Sequence, residues 1–335
     1  MDKIFGFAIL SLFITAILIV PFIDFLYKIK LQRQKQKTRD IFNQRTFVFD
    51  KLSEWKVGTP FGGGLLIIFV VTLLTLWAYG LFRIDVKPWE LFVLLFSFIG
   101  FGALGFYDDL KKILNGTSSN FFGLRFKHKF VIQWALGLLI GTILYMNGYT
   151  FIHFPWIGEF PLGPFYILFA AFVIVSFANA FNITDGLDGL SSGLLLICLS
   201  AFLVISSTLL DSFLAIFIAI LMGSVAAFLY FNIYKARLWL GDVGSLSLGA
   251  SLAVIGLLTG KIGAVGLIGG VFVIEVGSSF LQIMSKKMFG KKLLPIAPIH
   301  LYFLKKGWEE PKVVMRAWLL GFTFAILGLY LAFIR

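Results

Sequence analysis

Charge is scarce in this 335-residue chain: Asp, Glu, Lys and Arg together make up 14% of it, where a water-soluble domain holds about a quarter. Cysteine is nearly absent. Cys198 stands alone inside an apolar run, which excludes a disulfide framework, leaves the redox compartment illegible and reads as a small buried hydrophobe. With three histidines in the whole chain, metal centres built from several His and Cys are excluded as well. No low-complexity tract, internal repeat or water-soluble domain is evident. What fills the chain is apolar: 59% hydrophobic residues, 40 of them Phe, and a mean hydropathy of +0.94. Few soluble cores hide that much apolar surface, so the bilayer is the expected solvent for most of it.

A hydrocarbon layer of about 30 Å takes about 20 apolar residues per helix. Runs of that kind lie near 4–27, 60–82, 90–107, 130–147, 163–181, 189–209, 212–231, 245–260, 263–284 and 314–334. The chain therefore reads as an all-α polytopic membrane protein of about ten spans, forming one transmembrane domain over residues 1–335. The first run is too long for a signal-peptide core and is read as a retained helix. The net charge of +12 is unevenly placed. Of the 29 Lys and Arg residues, only Lys3, Arg83, Lys87, Lys261 and Arg335 fall outside the odd-numbered loops. That pattern argues against a nucleic-acid partner. It predicts odd loops in the cytoplasm and both termini on the outer side of a bacterial inner membrane. The cytoplasmic loops are then about 28–59, 108–129, 179–188, 232–245 and 285–313.

Polar side chains at membrane depth persist only where they line a cavity or find partners. Five such segments stand out, all on the basic side. Lys56 to Gly64 enters the second span, where glycines permit close approach and free N–H groups at a helix start favour anions. Asp108 and Asp109 end the third. Adjacent carboxylates repel unless a cation or hydrogen bonds hold them, so they point to metal binding or acid–base work, the plain alternative being a solvated helix end. Asn179 to Leu190 follows the fifth span, and the spacing of Asp185 and Asp188 predicts one helical turn aiming both the same way, beside Asn179 and Asn182. Asn232 and the Trp239–Ser245 stretch lead into the eighth span. There Asp242 precedes a helix start, suited to a cation or to a simple N-cap, and Trp239 offers a flat face to a base. His300 sits among prolines in a basic loop that fits a phosphate. Lys129 and Gln133, one turn apart at the start of the fourth span, belong to the same side. His128 and His153 read as ordinary. Clustered Asp and Asn imply a hard cation, Mg²⁺, and the basic loops imply a polyanionic soluble substrate. With a lipid acceptor at bilayer level, the residues alone reach metal-dependent phosphoryl chemistry at the cytoplasmic face.

The strings KVGTPFGGG, GFYDDLKK, NAFNITDGLDGL, YFN, LWLGDVGSLSLG and APIHLYFLKKGWEEPKVVMRAW occur in that order from residue 56 onward. Together they resemble the polyprenyl-phosphate N-acetylhexosamine-1-phosphate transferase superfamily, and within it the bacterial phospho-N-acetylmuramoyl-pentapeptide transferases. The resemblance implies transfer of phospho-N-acetylmuramoyl-pentapeptide from its UDP-linked form to undecaprenyl phosphate, giving UMP and the first lipid intermediate of peptidoglycan synthesis. It also implies a homodimer. Carried over residue by residue, it makes Asp242 the Mg²⁺ ligand, and places Asp108, the candidate base, and Asp109 by the lipid phosphate. Asn182, Asp185 and Asp188 would line the nucleotide and metal region with Asn179 nearby. Lys56, Lys129 and His300 would be polar catalytic contacts, Asn232 a supporting ligand and Trp239 the base-stacking platform. A phosphomonoester is already largely dianionic at neutral pH, so direct in-line attack is favoured over a covalent Asp intermediate.

This chain departs from the family's run of three histidines, having His300-Leu301-Tyr302. That departure keeps a second expectation open, transfer of a different UDP-N-acetylhexosamine. An ion- or proton-coupled transporter is the alternative of another class. It would place carboxylates at the bilayer midplane instead of at one interface.

Overall fold

The computed structural model describes residues 2–32, 50, 56–82, 86–114, 126–154, 158–209 and 212–334. Arg33, Lys35, Lys37, Arg39, Arg45, Lys51, Arg83, Arg125 and Arg335, which contribute to the charge asymmetry, lie outside the described residues. So do parts of the 28–59 and 108–129 loops.

The described chain is almost wholly helical. Its long helices are α1 (Asp2–Lys28), α2 (Gly63–Phe82), α3 (Pro88–Leu114), α4 (Phe126–Met146), α5 (Phe165–Thr184), α6 (Leu190–Thr208), α7 (Ser212–Asn232) and α8 (Gly241–Leu258). They are followed by α9 (Ile262–Ile268), α10 (Gly270–Phe289), α11 (Ile299–Lys305) and α12 (Glu310–Phe333). Among the described residues nine helices are long and apolar enough to cross a membrane. The count is ten if α9 and α10 form one span. Fully apolar sequences favour helices here because a helix satisfies its backbone hydrogen bonds internally where no water is available.

Two departures from the sequence expectation stand out. The run at 263–284 is not one straight span, since α9 and α10 meet at Gly269 with a bend of 75°. Crowding fixes the position of the break: a Cβ at Gly269 would lie 2.5 Å from the Phe177 ring, and one at Gly270 would lie 2.8 Å from that of Phe324. The chain is also not purely helical. Phe151–Phe154 pairs antiparallel with Gly158–Pro161, Ile152 opposite Phe160, in a hairpin between α4 and α5. This β1–β2 hairpin packs near α9 and lies at the end of the bundle opposite Lys129.

The bundle is organised around α8, nearly every residue of which is buried. It packs on α2, α3, α5, α6 and α9, and α1 lies against α7 at the periphery. Apolar side chains gain nothing by leaving lipid for a protein interior, so close backbone approach drives such packing. Gly244, Ser245, Ser247, Gly249 and Ala250 allow it. Gly64 faces Gly244 so tightly that a Cβ there would lie 2.2 Å from the Gly244 Cα. On α3, Gly105 meets the carbonyl of Asp242 at the start of α8.

That contact generates a prediction. A Cβ at Gly105 would lie 2.1 Å from the Asp242 carbonyl oxygen, so Gly105→Ala must push α3 off α8. The expected cost is about 1–3 kcal/mol, read as a lower Tm in detergent. Gly80→Ala, where nothing lies within 4 Å, should leave the melt unchanged.

Candidate active site

The ends of α3, α5, α7 and α10 and the starts of α2, α4, α6, α8 and α12 share one side of the bundle, and the polar residues gather there. From α3 come Asp108, Asp109 and Lys112, from α4 Lys129, and from the first turn of α8 Asp242. Lys112 Nζ lies 2.9 Å from Asp242 Oδ2, 3.3 Å from Asp108 Oδ2 and 3.3 Å from Asp109 Oδ1. Lys129 Nζ is 3.1 Å from Asp108 Oδ2 and pairs closely with Asp242 Oδ2. Asp108 and Asp109 are buried, so neither is a solvated helix end. Asp109 Oδ2 accepts from the Val243 N–H at 3.1 Å. An acid from the last turns of one helix thus caps the positive end of another, which accounts for an acid in an otherwise unfavourable place. Gly241, at φ +73°, turns the chain into α8 where a Cβ would lie 2.7 Å from that same Asp109 oxygen. From α5, Asn182 Nδ2 donates to Asp242 Oδ1 (3.1 Å) and to Ser245 Oγ (2.6 Å). Asn179 donates to Gln133 Oε1 at 2.7 Å.

Beside this cluster lies the turn between α5 and α6. The expected helical turn does not form, because α5 ends at Thr184 and α6 starts at Leu190 with Gly189 at φ +77°. Asp185 and Asp188 consequently face different partners. Asp185 accepts from the Ser191 hydroxyl at 2.5 Å. Burial pushes its carboxyl up to about 7, against the downward pull of that hydroxyl and of the Lys56 ammonium. Asp188 accepts from Lys56 Nζ (3.0 Å), the Ala236 N–H (2.8 Å) and the Trp239 indole N–H (3.2 Å). Lys56 also donates to Glu310 Oε1 at 2.7 Å and to the Gly186 carbonyl at 3.2 Å, and lies 5.5 Å from the centre of the Trp239 ring. Glu310 in turn accepts from the Asp188 N–H at 2.7 Å. Asn232 is buried under the turn, where its oxygen accepts from Gly189 N–H and Ser192 Oγ and its nitrogen donates to the Leu238 carbonyl. It braces the turn.

The glycine-rich entry to α2 does not present free N–H groups to an anion. Gly62 and Gly63 donate to the Trp239 carbonyl (3.1 and 2.8 Å) and Gly64 to that of Leu240 (3.0 Å). Its work is to lash the α2 start to the segment that carries Trp239 and Asp242.

His300 reaches the turn from the third side. Its Nδ1 lies 2.9 Å from Glu275 Oε2, with both side chains buried, and a Cβ at Gly186 would lie 2.7 Å from its Nε2. The bend between α9 and α10 brings Glu275 to this point. The carboxylate fixes the imidazole so that Nε2 faces the Asp185–Asp188 turn.

A family model described as glycosyl transferase family 4 matches residues 91–260, the stretch that supplies Asp108, Asp109, Lys129, Asn182 and Asp242. A protein of Bacillus pumilus is 34% identical over 334 residues, 99% of this chain and 98% of its own. One of Desulfotalea psychrophila is 40% identical over 299 residues, 82% of this chain and 79% of its own. One of Borrelia garinii is 35% identical over 345 residues, 97% and 93% of the two chains. Each is named phospho-N-acetylmuramoyl-pentapeptide-transferase. This chain belongs to the phospho-N-acetylmuramoyl-pentapeptide-transferase family.

In this member of the phospho-N-acetylmuramoyl-pentapeptide-transferase family, the structure brings ten of the twelve residues to which the resemblance gives a role into two adjoining groups. Asp108, Asp109, Lys129, Asn182 and Asp242 form one, and Lys56, Asp188, Asn232, Trp239 and His300 surround the α5–α6 turn, while Asn179 pairs with Gln133. Asp185, the twelfth, lies between them. Lys112, Ser191, Ser245, Glu275 and Glu310 were not singled out. Glu275 had a legible signal, a lone acid inside an apolar run; Glu310 was masked by the basic loop it follows.

Among the described residues no group of three or more His, Cys, Asp or Glu side chains is arranged to hold a metal ion. Mg²⁺ asks for less, usually one or two carboxylates with waters and substrate phosphates. Three acid oxygens, from Asp108, Asp109 and Asp242, already surround the single Lys112 ammonium within 3.3 Å. In the structure that position is taken by the ammonium, and the three carboxylates are the hard oxygen donors around it.

The Lys56–Asp188–Glu310 network yields the second prediction. Lys56 pairs with two acids, so removing Glu310 leaves the Lys56–Asp188 pair balanced, and what is lost is the two buried hydrogen bonds that Glu310 accepts, at about 1–3 kcal/mol. Glu310→Leu should therefore lower the Tm in detergent sharply. Glu310→Gln, which still accepts from Lys56 and from the Asp188 N–H, should lower it less. Equal shifts would mean that these hydrogen bonds contribute nothing beyond the charge, and a Gln variant that melts with the unmodified protein would mean that the ionic pairing contributes nothing.

Proposed function

We propose that this enzyme moves phospho-N-acetylmuramoyl-pentapeptide from its UDP-linked precursor to undecaprenyl phosphate at the cytoplasmic face of a bacterial inner membrane, releasing UMP. The observation that supports it most is the convergence of Asp108, Asp109 and Asp242 on Lys112 and Lys129. Two ammoniums among three carboxylates, at the mouth of a helix bundle, suit a reaction between two polyanions. The charge asymmetry of the loops supports the cytoplasmic side.

In this reading a phosphate oxygen of the lipid bonds to the β-phosphorus of the UDP-sugar. The bond from that phosphorus to the bridging oxygen breaks, and UMP leaves with that oxygen. The acceptor is already largely dianionic near neutral pH, so neutralisation and alignment are the harder tasks. Lys112 and Lys129 screen the approaching phosphates. Asn182 fixes the orientation of Asp242, and Asp109 locks the start of α8 on which Asp242 stands. Asp242, with Asp108 and Asp109 beside it, would hold Mg²⁺, which supplies charge neutralisation on the diphosphate. Trp239 stands at the rim, where a uracil base stacks. Its other contacts, to Asp188 and Lys56, hold its plane. His300, fixed by Glu275, faces the sugar-nucleotide side. Asp108 already serves two ammoniums and is a weak nucleophile, which supports direct attack over a covalent intermediate.

Transfer of another UDP-N-acetylhexosamine rests only on the residues that follow His300, and the names of the relatives do not favour it. Where the family run has further imidazoles, Leu301 is buried and Lys306 Nζ lies 4.6 Å from the centre of the Tyr302 ring.

UMP release with defined UDP-sugars and undecaprenyl phosphate, with and without Mg²⁺, tests the proposal. The expected result is turnover with UDP-N-acetylmuramoyl-pentapeptide that stops when the metal is chelated. Asp242→Asn should lose at least about a hundredfold in kcat, in line with removal of one principal electrostatic group. Turnover only with a different UDP-sugar would select the second reading, and a burst of UMP without lipid acceptor would overturn direct attack.

A further inference from the structure

Gln133 has a buried amide nitrogen that finds no hydrogen-bond partner among the described residues. Its side chain is 1% exposed. Its oxygen is engaged, accepting from Asn179 Nδ2 at 2.7 Å, while Asn179 donates also to the Val175 carbonyl. In a bilayer no water is at hand to satisfy such a donor, and a buried amide N–H without an acceptor is costly. A cost of this kind next to a reaction centre calls for a ligand that removes it.

The place of Gln133 says which ligand. On α4 it follows Lys129 by four residues, so both point to one face, a helical turn or about 6 Å apart along the axis. Its partner Asn179 precedes Asn182 on α5 by one turn. The Gln133–Asn179 pair therefore sits directly beneath Lys129, Asn182 and Asp242, deeper in the bundle than the charged residues. A soluble nucleotide arrives from the loop end of this site. A phosphate tethered to a lipid arrives from the bilayer, alongside helices whose outer faces are apolar, as α4 is at Val131, Ile132 and Leu139. We propose that the Gln133 amide nitrogen donates to a phosphate oxygen of the polyprenyl phosphate acceptor, making Gln133 a substrate-binding residue for the lipid. This rests on the transferase reading above. A neutral amide suits the position: Lys112 and Lys129 already supply charge, and a directional N–H to an anionic oxygen adds alignment without another buried ion.

The test separates donor from scaffold. Gln133→Glu keeps an oxygen for Asn179 and removes the N–H donor; Gln133→Leu removes both. KM for undecaprenyl phosphate should rise about tenfold in the Leu variant and further in the Glu variant assayed at alkaline pH, where the ionised carboxylate offers no donor and repels the phosphate. KM for the UDP-sugar should stay within about twofold. A second readout needs no turnover: the rise in Tm that undecaprenyl phosphate, but not undecaprenol, gives the unmodified protein in detergent should disappear in both variants. An unchanged lipid KM, a rise in the UDP-sugar KM instead, or a kcat loss with both KM values intact would overturn the proposal, the last marking a water-filled scaffold role. If no UDP-sugar gives UMP with the unmodified protein, the transferase reading fails while the melting comparison still decides what Gln133 meets. If Gln133→Leu does not fold, Gln133→Glu carries the test. If neither folds, a structure of the unmodified protein with undecaprenyl phosphate decides it: Gln133 Nε2 out of hydrogen-bond reach of the phosphate overturns the proposal, and contact supports it.

Discussion

Asp242 stands at the first turn of the most deeply buried helix, and the rest of the site is arranged so that a carboxylate can stay there. Isolated, a charge at that depth is prohibitive. It is held by two ammoniums on other helices and by the Asn182 amide, while Asp109 engages the N–H of the next residue. Each partner requires its own helix to approach α8 closely. The glycines and serines of α2, α3 and α8 make those approaches possible, so the packing of the bundle and the electrostatics of its mouth are one constraint seen from two sides.

The second network gives the site its shape. Lys56, Asp188 and Glu310 join the α2 entry, the α5–α6 turn and the start of α12 through buried ion pairs. The same Asp188 holds the Trp239 indole. A change in any of these elements is thereby felt at the rim where a nucleotide would rest. The bend between α9 and α10 has a comparable consequence. It aims Glu275 at His300, and His300 at Gly186, from a helix that would otherwise run parallel to its neighbours.

Much of this was legible in the chain before any coordinates. Apolar runs gave most of the helices to within about four residues, although α3 runs on past 107 to Leu114 and the run at 263–284 became two helices. The polar segments between them marked the site, since expensive residues at membrane depth are kept only where they have partners. Where inference stopped short, the missing information was in contacts distant along the chain. The spacing of Asp185 and Asp188 predicts a shared face, yet Ser191 and Lys56 draw them apart. The glycines before α2 look like an anion cradle until the Trp239 and Leu240 carbonyls take their N–H groups. The Gly269-Gly270 pair marks a candidate break, but the rings of Phe177 and Phe324 that crowd both glycines lie far away along the chain.

Composition and short-range periodicity therefore sufficed to lay out nine or ten apolar helices and the residue types available for chemistry. Which acid meets which base, which amide nitrogen is left over and which way each ring faces came from the folded bundle. Those depend on helix packing over sequence separations of up to 254 residues, where no local pattern fixes the pairing and only the close fit of small residues at the helix interfaces does.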